Sequence, residues 1–208
     1  RGGEYKIEDT IEFNSSDSGT NGYYITYRNY PGETPVLSGG EPIDGWVQEG
    51  NLFKSNIGAG TKIRELFVNG QRAQRARSQS FKIRAWNSAE KLFAIDKDAV
   101  AEWTEVDPNM EAVILQHWVL NYFRLGSYSI GGDYAWIGLS GKGNKVKDFY
   151  SDPHPAKDVD TSVHFENSLM YLDRPGEWCL VENTGDVYYY PREGETLQNL
   201  KAVTPGIE

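Results

Sequence analysis

Three histidines, His117, His154 and His164, are the first residues in this sequence that could do metal or acid–base chemistry. They stand too far apart for a zinc-binding helix, which needs two imidazoles one turn apart with a Glu between them. His117 and His164 read as residues packed within strands, because lone histidines are usually structural or solvated. His154 is set differently. It lies in Asp152-Pro-His-Pro-Ala-Lys-Asp158-Val-Asp160, where carboxylates and an imidazole could converge on a cation. The segment lacks the Gly and the terminal Glu of a calcium loop, so it reads as a solvated polar loop and no metal site is assigned.

Nucleophile and phosphate chemistry fall away on spacing. In Gly138-Leu-Ser-Gly-Lys-Gly143, a phosphate loop would need Ser or Thr where Gly143 stands, and a nucleophile elbow would need Gly where Lys142 stands. Cys179 lies between Trp178 and Leu180 in a predicted strand and reads as a buried, inert thiol. A glycosidase needs one carboxylic acid and one carboxylate flanking the scissile bond. The thirty acidic residues offer many pairs, and no spacing selects one. Aromatic faces can stack on sugar rings as well as fill cores. Trp136 and Tyr134, beside glycines, and His154 in its polar loop are therefore the candidate substrate contacts. Gln71-Arg-Ala-Gln-Arg-Ala-Arg77 gathers three arginines, and strand alternation would put Arg75 and Arg77 on one face. There each guanidinium could clamp a carboxylate at a domain junction, and both are read as structural.

The elements that must position these residues come from a chain of 208 residues, enough for one large domain or two small ones. Aromatics reach 13%, and a formal charge of -9 disfavours a phosphate-tracking nucleic-acid surface or an anionic membrane. With one cysteine, no intrachain disulfide and no thiolate zinc site can form. No apolar run approaches the roughly 20 residues of a spanning helix. The opening Arg-Gly-Gly carries no signal pattern and reads as the start of a mature or trimmed chain.

Short alternating runs bounded by turn residues predict strands over 5–13 and 23–30 and at Val36-Leu37, then over 51–57 and 63–68. Asn69-Gly70 predicts a tight hairpin. Asp96 to Trp103 has the best helical composition and predicts one short helix. The apolar stretch from Ala112 to Phe123 reads as one buried strand. Six glycines between Gly126 and Gly143 predict turns and loop up to Thr161. Strands are expected again over 163–172, 178–181 and 187–190, with a hairpin loop at 182–186.

Several of these segments in order resemble a known family. Asp17-Ser-Gly-Thr20, Ile25-Thr-Tyr-Arg-Asn-Tyr-Pro-Gly-Glu-Thr-Pro-Val-Leu-Ser-Gly-Gly40 and Ile43-Asp-Gly-Trp46 are similar to the opening coils of bacterial right-handed parallel β-helix glycoside hydrolases. Leu66-Phe-Val-Asn-Gly-Gln-Arg-Ala-Gln-Arg-Ala-Arg77, Glu166-Asn-Ser-Leu-Met-Tyr-Leu-Asp-Arg-Pro-Gly-Glu-Trp178 and Gly185-Asp-Val-Tyr-Tyr-Tyr-Pro-Arg-Glu-Gly194 resemble the β-sandwich inserted after those coils. The family includes β-xylosidase, xylanase and α-fucosidase-like enzymes.

The resemblance implies an all-β chain. Residues 1–45 would form the first coils of a right-handed parallel β-helix. Residues 46–208 would form an inserted antiparallel β-sandwich-like domain with one short helix, returning to the β-helix at its end. It places the catalytic carboxylates on later coils, so no catalytic residue is carried over to this chain. The inserted domain would wall the substrate cleft or mediate assembly. It also implies a secreted, periplasmic or cell-surface protein that meets a plant or host glycan through its full length, with no cofactor. Assembly into a homo-oligomer is left open. The alternative function is a non-enzymatic carbohydrate-binding or cell-surface adhesion module.

Overall fold

The computed structural model describes residues 1–87, 89–115, 120–140 and 161–206. Their strands, in chain order, begin with β1 (Gly3–Lys6), β2 (Pro35–Ser38), β3 (Gly40–Ile43), β4 (Val47–Glu49), β5 (Leu52–Asn56), β6 (Phe67–Val68) and β7 (Gln71–Arg72). Next come β8 (Gln74–Arg75), β9 (Phe81–Lys82), β10 (Ala85–Asn87), β11 (Leu92–Asp96), β12 (Glu111–Leu115), β13 (Leu120–Gly131) and β14 (Tyr134–Ser140). The last four are β15 (Ser162–Glu166), β16 (Glu177–Val181), β17 (Asp186–Tyr189) and β18 (Ala202–Pro205). The described residues are thus all-β, with only three 3-10 turns and no α-helix.

The largest sheet runs β10-β11-β14-β13-β12-β15-β9. Its two edge strands, β9 and β10, are separated by only Ile83 and Arg84, so the sheet must roll until its edges approach each other. Period-two alternation turns Phe93 and Ile95, Ala112 and Ile114, Phe123 and Leu125, Ala135 and Ile137, and Val163 and Phe165 to the inside of that roll. Burying each Phe, Ile, Leu or Val contributes about 1.5 to 3 kcal/mol. A five-stranded sheet, β4-β5-β17-β16-β8, packs with a four-stranded one, β3-β18-β6-β7, over a second core holding Phe53, Val68, Trp178, Leu180, Val187 and Tyr189.

One polar side chain ties the two bodies together. Asn167 is buried in a left-handed conformation, and its amide donates to the Leu180 and Asn109 carbonyls while its carbonyl accepts from the Leu180 N–H.

Several sequence expectations are corrected. The helix over 96–103 is a 3-10 turn, Lys97–Val100. Asp96 closes β11 and gives no side-chain cap, while Val100 and Trp103 are drawn into the core. The apolar stretch 112–123 is divided between β12 and β13, which pair antiparallel. The described part of the glycine-rich span that predicted loop is mostly strand, 126–131 in β13 and 134–140 in β14, and Gly126 and Gly138 stand where neighbouring side chains come close. A Cβ on Gly138 would come within 2.4 Å of Ser127 Oγ in the neighbouring strand. Residues 141–160, including His154 and the 152–160 loop, lie outside the described residues, as does His117.

The opening region also differs from expectation. β1 and β2 pair in parallel, from Gly3 opposite Pro35 to Lys6 opposite Ser38, but the described residues form no solenoid. Residues 23–30 form no strand, and Tyr23 and Tyr24 are 79% and 94% exposed. Among the described residues no strand pairs with this run, so its alternating pattern has no ladder to join.

Candidate functional site

The Asn69-Gly70 pair, with both residues at positive φ, closes the β6–β7 hairpin. From there the chain passes through β8, which runs parallel to β16 and sets Arg75 opposite Trp178. Two residues on, Arg77 forms a bridge with Glu166 at the end of β15. Residues 74–77 therefore step from the five-stranded sheet to the seven-stranded roll. Arg75 is buried and Arg77 is exposed, so the two do not share one environment. The step between sheets interrupts the alternation that would have kept them together.

Glu111 begins β12 and sits in register between Arg124 on β13 and Glu166 on β15. Arg64 grips it with two bonds, Nη1 to Oε1 at 3.2 Å and Nη2 to Oε2 at 3.1 Å. Arg75 Nη1 donates to Oε2 at 2.6 Å, and Arg124 Nε stands 3.5 Å from Oε1. Arg124 also pairs with Glu182, and Glu166 Oε1 lies 3.0 Å from His164 Nε2. Burial by itself would raise the Glu111 pKa, but bonds and charge from Arg64 and Arg75 outweigh it and the net shift is downward. A carboxyl held ionised and nearly covered is unsuited to donate a proton to a leaving group.

In front of this cluster lies a cleft of about 570 Å³ whose lining includes Arg64, Arg72, Arg75, Arg77, Tyr122 and Trp178. The Arg64 guanidinium stacks on Tyr122, 4.6 Å from the ring centre, and Arg75 stands 5.8 Å from the Trp178 ring. Arg75 Nε and Trp178 Nε1 are both buried without a hydrogen-bond partner among the described residues.

Trp136 and Tyr134 lie on β14 rather than in a loop. Their rings meet edge to face with centres 6.5 Å apart, on the face opposite buried Ala135 and Ile137. Trp136 is opposite Ala94 and Ser129, and Tyr134 is opposite Asp96 and Gly131, all small or polar neighbours. Asp96 is held by Arg84 through Nε and Nη2. The structure does not bring this pair together with the arginine cleft's lining. Glu111, Arg64, Arg124 and Tyr122 were not singled out from the sequence, because their convergence depends on pairing between distant strands.

Cys179 is buried, and desolvation, aided by the charge of Asp107, pushes its thiol up to about 12. That leaves no thiolate for chemistry near neutral pH.

The chain returns to its point of departure. β18 pairs antiparallel with β3, Ile43 opposite Ala202, so the body between them is an all-β module whose two ends meet. The family model described as the GH141 insertion domain matches residues 45–192. The chain belongs to that family. A solved structure titled "Glycoside hydrolase" aligns with a TM-score of 0.83 and 28% sequence identity, over 100% of this chain and 38% of that one. The chain thus spans 38% of the length of the structure it matches. No curated protein matches it.

Proposed function

We propose that this chain is a non-catalytic portion of a carbohydrate-active β-helix glycoside hydrolase. Residues 1–45 contribute opening coils of a right-handed parallel β-helix, and the region from residue 46 is the inserted domain that walls the substrate cleft or mediates assembly. The parallel β1–β2 pair supports the first part. The match to a glycoside hydrolase of greater length supports the second. Tyr134 and Trp136, exposed in part on an outer sheet face beside the Arg84–Asp96 pair, are substrate contacts suited to stacking on a sugar ring. The whole protein acts on a glycan outside the cytoplasm.

The observation that carries the non-catalytic reading is the state of Glu111. It stands opposite Glu166 on the neighbouring strand, behind the cleft that Glu166 lines, yet arginines hold it ionised. Assays of the chain with aryl xylosides, fucosides and galactosides should give no turnover above background. Turnover abolished by Glu111→Gln, Glu166→Gln or another single acid substitution would overturn the reading.

A further inference from the structure

Asn-Gly occurs twice in the sequence, at Asn21-Gly22 and at Asn69-Gly70. Both turns hold the pair at positive φ, 55° and 79° in the first and 50° and 75° in the second. Tyr23 N–H donates to the Thr20 carbonyl at 3.1 Å around the first, and Val68 stands opposite Gln71 around the second. Glycine, with no Cβ, leaves its own amide nitrogen open, and that nitrogen can attack the side-chain carbonyl carbon of the asparagine before it. Dipeptide and turn alone would give the two sites the same chemistry.

The side chains separate them. Asn69 Oδ1 accepts from the Lys201 N–H at 2.9 Å, and its Nδ2 donates to Glu195 Oε1 at 3.1 Å. The Asn69 N–H donates in turn to the Lys201 carbonyl at 2.8 Å, and β6, which leads into the turn, is laddered to both β7 and β18. Asn21 is exposed, and its side-chain amide has no hydrogen bond among the described residues. The strands nearest to it along the chain are β1, ending at Lys6, and β2, beginning at Pro35, so no ladder braces its turn. Exposed loop tips with few contacts open at little free-energy cost. Attack requires the amide carbon to swing onto the glycine nitrogen. At Asn69 that swing breaks hydrogen bonds at both ends of the amide, whereas at Asn21 only one backbone bond resists it.

We infer that Asn21-Gly22 is a site of spontaneous covalent modification, deamidation through a cyclic imide, and that the fold protects Asn69-Gly70 from the same reaction. The Gly22 nitrogen gives its proton to solvent base and bonds to Asn21 Cγ. The Cγ–Nδ2 bond breaks, and the departing nitrogen takes a proton back from solvent and leaves as ammonia. Water then adds to one of the two ring carbonyls. Opening at Cγ gives aspartate, and opening at the main-chain carbonyl gives isoaspartate, in which the chain runs through the former side-chain carbon. Water is the one co-reactant, and nothing is oxidised or reduced. Either product adds one negative charge to a chain already at -9. Isoaspartate also lengthens the main chain by one carbon, immediately before the exposed Tyr23 and Tyr24.

Ageing the whole chain in mildly alkaline buffer, with peptide mapping by mass spectrometry at intervals, tests this. The peptide carrying residue 21 should gain the mass of an amide-to-acid exchange at least tenfold faster than the peptide carrying residue 69, and fragmentation should show isoaspartate as well as aspartate. A parallel incubation in urea separates fold from sequence, because unfolding removes the Lys201 and Glu195 bonds and the two sites should then react at similar rates. Equal rates in the folded chain, or an Asn21 that stays intact there, overturn the inference. A gap between the sites that persists undiminished in urea overturns the protection assigned to the fold. Aspartate without isoaspartate overturns the cyclic route.

Discussion

Arg75 and Glu111 face each other across 2.6 Å with only 8% of either side chain exposed, and they belong to different sheets. Removing one partner leaves the other charged and buried. Arg75→Ala should therefore cost about 3 to 5 kcal/mol of stability. Arg77→Ala, at an exposed position, should cost less than about 1 kcal/mol. Urea unfolding of the two variants checks the contrast, and an Arg75→Met/Glu111→Leu double variant should recover much of the loss.

The same cluster sets an acid limit. Glu111 is depressed in the folded state, so its contribution is present above the unfolded carboxyl value near 4.3 and is lost as pH falls through the lower folded value. Glu177, raised chiefly by burial, has the opposite sign and loses its contribution as pH rises. Comparing parent and Glu111→Gln isolates the first effect. The urea midpoint of the parent should fall more steeply than that of the variant as pH drops below about 4.

Alkylation of Cys179 reports global opening. Its thiol is buried and pushed up to about 12, so iodoacetamide at pH 8 should leave the folded chain unmodified and react fully in urea. Rapid labelling of the native protein would show that this core opens locally.

Asn167 should be intolerant of change. Its side chain satisfies both the Leu180 N–H and the Leu180 carbonyl, and its φ of 64° disfavours a Cβ-branched or bulky replacement. Asn167→Ala should cost more than about 2 kcal/mol, since it strands buried backbone groups and keeps an unfavourable φ. Asn167→Gly relieves only the second effect and should lie between alanine and parent in thermal unfolding.

Much of the β character was legible, for a local reason. Asn69-Gly70 carries its own turn geometry, and the strand–loop–strand pattern over 178–190 appears as β16 and β17 joined at Gly185. The misreadings share a cause. Glycines at 126 and 138 stand in strands where side chains of the partner strand come close, a fact held by that partner. The exposed run 23–30 has the same alternation as a strand but pairs with no strand among the described residues. Arg75 stood out by type and spacing, but its partner lies 36 residues further on in another sheet. No window along the chain contains both.

The Ile43–Ala202 pairing has a consequence for how the surrounding chain folds. For an unstructured loop, the entropy lost in joining its ends grows with the logarithm of its length. Long sequence separation between contacting strands also slows folding. Here the intervening body carries its own cores, and its formation brings β3 and β18 to one ladder spacing. Once it has folded, the flanking strands meet as though joined by a hairpin turn, and their effective separation along the chain no longer depends on how many residues lie between them.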